Sequence, residues 1–133
     1  MKARDIMTRE LTTVTPEQSV LECSQILKEK GFKHLPVLER GRVVGVVTDR
    51  DLKRVSASDA TTLEIHELLY LLDKLIVAKV MTRDVVHIAA DASVNDAARM
   101  ILERKVGCLP VLEGDALVGI ITRDDLIALL AKA

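Results

Sequence analysis

A chain of 133 residues with a formal net charge of −1 is long enough for one domain of ordinary size. Its interspersed charges leave no basic footprint for DNA or RNA. Apolar residues make up 49% of the chain and aromatic residues only 2%, so the core is aliphatic, which argues against base stacking on aromatic platforms. No apolar run approaches the roughly 18 residues of a membrane span. The charged start Met1-Lys2-Ala3-Arg4-Asp5 carries no signal-peptide core, and both features point to a cytoplasmic protein. Cys23 and Cys108 belong to no Cys-x-x-Cys or His pairing. They read as reduced, buried, small hydrophobes rather than as a disulfide or metal ligands.

Taken in order, the chain begins with Met7-Thr8-Arg9 and a short extended piece, Leu11–Thr15. Ser19 followed by Glu22 is a capping box that starts a helix, and Val20, Cys23, Ile26 and Leu27 recur at helical spacing up to Lys30-Gly31. Leu35-Pro36-Val37-Leu38 reads as a strand whose proline sits where one backbone donor is dispensable. A hairpin turn at Glu39–Arg42 leads into the apolar strand Val43–Val47. A second helix opens at Thr48-Asp49-Arg50-Asp51. Ser56–Ala60 reads as a polar linker. Thr61 with Glu64 then caps a leucine-rich helix expected to run to about Val77. That helix is apolar on so many sides that it should be buried, within its own domain or against another subunit.

The second half repeats the first. Shifted by 74 positions, Met7-Thr8-Arg9 falls on Met81-Thr82-Arg83, Leu35–Glu39 on Leu109–Glu113, Gly45 on Gly119, Thr48 on Thr122 and Asp51-Leu52 on Asp125-Leu126. Val85–Ala89 repeats the extended piece, Ser93 with Asp96 the cap, Arg104-Lys105 the helix end, Glu113–Asp115 the turn and Leu117–Ile121 the strand. Two copies imply a duplicated β-α-β-β-α unit rather than an open solenoid. The expected fold is α+β, with a first unit at 1–55, a linker and connecting helix at 56–78 and a second unit at 79–133.

No catalytic motif is present, and the three histidines, His34, His66 and His87, occupy unrelated places in the repeat, so an enzyme is not expected. The repeated Thr-x-x-Asp corner is the chemical feature. A helix N-terminus offers unpaired N–H groups and partial positive charge to a phosphate. The threonine hydroxyl can join those donors, and an ionised aspartate can accept from both hydroxyls of a ribose. Arg50, Arg54 and Arg123 stand ready for phosphate pairing. The same two residues also make a capping box, and both readings fit the sequence.

The combination of Met-Thr at each unit start, Thr15-Pro16, Leu-Pro-Val-Leu and Gly-hydrophobic-hydrophobic-Thr-x-x-Asp resembles a tandem CBS-domain pair, or Bateman module. Ala60–Leu72 further resembles the CBS pairs of bacterial acetoin-utilisation proteins, although their additional ACT domain has no counterpart here. The resemblance implies two units packed with pseudo-twofold symmetry around two clefts that hold AMP, ADP, ATP or S-adenosylmethionine as a regulatory ligand. It implies a first cleft of Thr48, Arg50, Asp51, Lys33 and His34 with Ala89 and Val106. The second would use Thr122, Asp124, Asp125, Gly107 and Cys108 with Thr15, Val20 and Lys33. His34 and Lys33 also fit as ordinary edge and surface residues. Asp124 stands where the first copy has Arg50, so the first cleft should suit a charged nucleotide better. The expected function is a regulatory ligand sensor, the expected partners being an adenosine-containing molecule and a second copy in a homodimer, with no nucleic acid and no membrane. The rival readings are a ligand-free dimerisation module and an accessory protein of acetoin-type metabolism.

Overall fold

The computed structural model describes residues 1–59 and 64–132. In chain order its elements are α1 (Ala3–Ile6), α2 (Val20–Lys30), β1 (His34–Glu39), β2 (Arg42–Thr48), α3 (Asp49–Asp59) and α4 (Ile65–Lys74). A 3-10 turn (Val77–Lys79) follows, then β3 (Ile88–Ala89), α5 (Val94–Arg104), β4 (Cys108–Glu113), β5 (Ala116–Thr122) and α6 (Arg123–Lys132). They form two compact units: Thr12–Arg83, and Met1–Leu11 together with Asp84–Ala133. The sequence repeat and the compact unit are therefore not the same object. Each Met-Thr-Arg leader belongs to the unit built from the other copy.

In the unit Thr12–Arg83, Ser19 caps α2 by accepting from the Glu22 N–H at 3.1 Å, and Gly31 ends it in the left-handed region. β1 and β2 form an antiparallel hairpin closed by Arg40 and Gly41, both at positive φ, the pattern of a type I′ turn. Val14 adds a parallel bridge to Val37. Pro36 lies opposite Val46, and Val46 gives both its backbone groups to Thr82 on its other side, at 3.0 and 2.9 Å. The proline's missing N–H therefore has no partner to disappoint. Gly45 makes room for the residue before Thr82: a Cβ there would stand 2.6 Å from Met81 Sδ and 3.0 Å from the Thr82 carbonyl oxygen. Arg83 then donates to the carbonyl of Ala78 at 2.9 Å. The core gathers Val14, Val20, Cys23, Leu27, Leu35, Val37, Val47, Leu52, Leu72, Val77 and Met81.

The other unit repeats this grammar. Ser93 caps α5 through the Asp96 N–H at 3.0 Å. β3 pairs in parallel with β4, and β4 in antiparallel with β5, round a turn whose Gly114 alone takes positive φ, as in type II′. Pro110 faces Ile120, whose backbone exchanges bonds with Thr8 at 2.8 and 3.0 Å. A Cβ on Gly119 would collide with Met7 Sδ and lie 2.7 Å from its Cγ. Arg9 donates to the Arg4 carbonyl at 3.1 Å. The hairpin bulges fall between Val37 and Leu38 and between Val111 and Leu112, which are repeat-equivalent positions.

Two expectations are corrected. The stretch read as a polar linker is helical as far as Asp59, because α3 runs on to that residue; Ala60 and the Thr61 cap lie outside the described residues. The connecting helix ends at Lys74, before the expected Val77, and within its own unit it buries one face. Leu72 is buried, with Leu68 and Leu75 packed against the core, whereas Ile65, Leu69, Tyr70 and Leu71 remain exposed. The spacing of Leu68, Leu72 and Leu75 explains this, since one stripe of a helix can meet one neighbour.

Candidate functional site

The first corner forms where β2 ends at Thr48 and α3 begins at Asp49. The Thr48 N–H donates to Asp51 Oδ2 at 3.0 Å, and the Asp51 N–H donates to Thr48 Oγ1 at 3.0 Å. This is a reciprocal capping box, so both residues do close the helix end. Closure uses one carboxylate oxygen. Among the described residues, Asp51 Oδ1 has no hydrogen-bond donor. Lys33 and His34 reach the same place: the Lys33 carbonyl accepts from the Asp49 N–H at 2.9 Å, and His34 lies opposite Thr48 in the hairpin register. Arg50 is exposed, while Asp49 is paired with Lys53 at 3.0 Å. In the same unit, Thr15 is exposed and begins a turn in which Gln18 Oε1 accepts from its N–H at 2.8 Å. Val20 is 1% exposed and sits in the core.

The second corner repeats the box with different occupancy. Asp125 Oδ2 accepts from the Thr122 N–H at 2.8 Å and from Thr122 Oγ1 at 3.3 Å, and the Asp125 N–H donates to Thr122 Oγ1 at 3.4 Å. Its other oxygen, Oδ1, accepts from Thr8 Oγ1 at 3.1 Å. Arg123 and Asp124 are exposed. Cys108 faces Thr122 across the hairpin, and burial pushes its thiol up to about 12, which suits a packing residue more than a reactive one. The Cys23 thiol is likewise raised, to about 11, by burial and then by the Glu22 carboxylate. Val106 and Gly107 are half-buried just before β4, and Ala89 is exposed on β3.

Charge separates the corners further. From position 49 to 54 the first carries Arg50, Lys53 and Arg54 against Asp49 and Asp51; the equivalent stretch of the second carries Arg123 against Asp124 and Asp125. A phosphate at the mouth of α3 therefore meets more positive charge than one at α6. Among the described residues, one group has metal-ligand spacing, Glu64, His66 and Glu67, all exposed at the start of α4. Acidic groups there also offset the helix dipole without any ion.

Sequence reasoning missed Thr8 as a partner of Asp125 and Met7 and Met81 as the reason for Gly119 and Gly45. The recurrence of Met-Thr and of the strand glycine carried the signal, but nothing in the sequence says that each leader packs on the other copy.

Residues 3–58 and 77–132 each match the family model described as the CBS domain. The chain belongs to the CBS-domain family. Among similar proteins, the CBS domain-containing protein YhcV of Bacillus subtilis is 28% identical over 92% of this chain and 81% of its own length. Other curated relatives are longer, and the chain spans between 22% and 46% of their length. A solved structure described as an acetoin utilization protein (AcuB) from Vibrio cholerae superposes with a TM-score of 0.82 at 27% identity, covering 99% of this chain and 91% of that one. CBSX2, solved in complex with AMP, gives a TM-score of 0.80 at 31% identity, covering 99% and 98%. The expected CBS pair of mixed α+β character is thus borne out, likeness to an acetoin-utilisation CBS pair included. Among the described residues of this CBS pair, no helix is long and apolar enough to cross a membrane.

Proposed function

We propose that this CBS pair is a non-catalytic sensor of an adenosine-containing nucleotide, held at its Thr-x-x-Asp corners, with the first corner taking the phosphate-bearing ligand. The observation that carries this reading is the split use of Asp51: Oδ2 completes the capping box, and Oδ1 is left to accept a ribose hydroxyl at a helix N-terminus. Arg50 and the α3 amides offer the phosphate its counter-charge. Lys33 and His34 flank the ligand. Thr122, Asp124, Asp125, Gly107 and Cys108 form the second site. The AMP complex of CBSX2 supports AMP as the first ligand to test, beside ADP, ATP and S-adenosylmethionine. Signalling would then be a difference in ligand affinity between two conformations of the protein.

Calorimetric titration with AMP tests the reading. Asp51→Ala should weaken binding by about tenfold, the loss of a charge-assisted hydrogen bond or more, while the lost cap costs only about 1 kcal/mol of stability. Equal AMP affinity in the folded variant and the parent would remove the ribose assignment.

A second reading, a ligand-free dimerisation module, is favoured by the complete capping boxes and by the exposed Ile65, Leu69, Tyr70 and Leu71 on α4. It predicts self-association in sedimentation, weakened by Leu69→Glu, with no thermal shift from any adenosine compound. The sensor reading shares the homodimer and differs in the thermal shift.

A further inference from the structure

We propose that Thr8 gates the second corner: its hydroxyl occupies Asp125 Oδ1, the acceptor that a ribose would otherwise use. The inference rests on the reading of the corners as ribose sites. Each carboxylate oxygen is a readier acceptor for a ribose hydroxyl when no other donor is on it. At Asp125 both are committed, Oδ2 to Thr122 and Oδ1 to Thr8.

The hydroxyl is held there by backbone. Thr8 exchanges two hydrogen bonds with Ile120, and Met7 is seated against Gly119, so the side chain is delivered to Asp125 by a fixed edge. Its repeat counterpart, Thr82, is pinned to Val46 in the same way. Among the described residues, however, no hydrogen bond joins its hydroxyl to Asp51. The duplicated scaffold thus closes one corner and leaves the other open, with a single side-chain bond making the difference.

The bond also ties the corner to the N-terminal segment. That segment is anchored by Ala3 N–H to the Ala92 carbonyl at 2.7 Å and by Arg4 N–H to the Ala90 carbonyl at 3.0 Å. A ribose hydroxyl at Asp125 competes with Thr8 for Oδ1. By reciprocity of linked equilibria, anything that loosens the segment raises affinity at that corner, and ligand there loosens the segment.

Calorimetry with adenosine, which carries the ribose without a phosphate, tests the gate. The first corner is silenced by Asp51→Ala in the full chain, and Thr8→Val is added to remove the hydroxyl at constant shape. The double variant should bind adenosine about three- to tenfold more tightly than Asp51→Ala alone, the net worth of an ordinary hydrogen bond that no longer has to be broken. Thr8→Ser should restore the weaker binding, Thr82→Val should leave it unchanged, and Asp125→Ala should abolish the gain. Adenosine binding that depends on Asp125 yet is not tightened by Thr8→Val overturns the gate and leaves the corner reading standing. No adenosine binding in any variant, or binding indifferent to both aspartates, overturns the corner reading and the gate with it.

Discussion

The corner at Thr48–Asp51 and the corner at Thr122–Asp125 share a strand end, a capping box and a methionine seated on a strand glycine, and they part at a few side chains. Arg50 faces Asp124 in the alignment, Lys53 and Arg54 face Ile127 and Ala128, and a hydroxyl closes Asp125 while Asp51 keeps one oxygen open. The shared parts all serve folding. The differing parts all bear on what a bound anion or diol would meet. Duplication therefore preserved the scaffold of each corner while its chemistry diverged.

The shared part is where the largest effects are expected. A Cβ on Gly119 lands on Met7 close to the methionine's own backbone end, with its Cβ 3.1 Å away; on Gly45 it meets chiefly the flexible tip of Met81 and, at 3.0 Å, the Thr82 carbonyl. Gly119→Ala should cost about 2–3 kcal/mol in urea unfolding, as overpacking of a filled core does. Gly45→Ala should cost about the same or somewhat less. Met7→Ala should recover part of the loss in the Gly119→Ala background, because the two changes relieve one another. Neutral behaviour of Gly119→Ala would show that the leader does not pack as described.

That packing marks the limit of what could be read before the fold was known. Helix ends at Lys30 and Arg104, the caps at Ser19 and Ser93, the two hairpin turns and the two Thr-x-x-Asp boxes all follow from local chemistry, and each lies where its residues placed it. The failures were of another kind. Self-similarity identifies the copy, but a leader such as Met7-Thr8-Arg9 is joined to one copy and packed on the other, and no local preference encodes that choice. The Thr8–Asp125 bond was hidden for the same reason, because it spans 117 positions of sequence. The leucines of α4 pointed to burial within the domain or against another subunit. Within the unit, the stripe through Leu68, Leu72 and Leu75 meets the core.

Charge gives a smaller and more selective way to sharpen the contrast. Arg50 is exposed, so its attraction for a phosphate is screened and worth at most about 1 kcal/mol. Arg50→Asp, which copies the second corner, should weaken AMP about three- to fivefold and leave adenosine unaffected. Asp124→Arg should strengthen AMP at the second corner by a similar factor once Thr8→Val has opened it. Equal losses for AMP and adenosine in Arg50→Asp would mean that the arginine supports the fold of the corner rather than the phosphate.

The smallest expected difference lies at the helix ends that precede β1 and β4. α2 stops on Gly31 at φ 70° and α5 on Lys105 at φ 56°, the same left-handed turn made once without a Cβ and once with one. A side chain in that region costs on the order of 1 kcal/mol, and a glycine gives part of that back through the greater freedom of its unfolded chain. Lys105→Gly should therefore stabilise the protein by only about 0.5 kcal/mol, with Gly31→Lys destabilising by about 0.5 kcal/mol. Both are read from urea midpoints at unchanged slope. Because Lys105 is exposed and stands outside both capping boxes, adenosine affinity should not move with it. A gain in stability accompanied by altered affinity would mean that the second corner is tuned from the α5 end as well as by Thr8. The difference between the two sites would then reach beyond the side chains at their mouths.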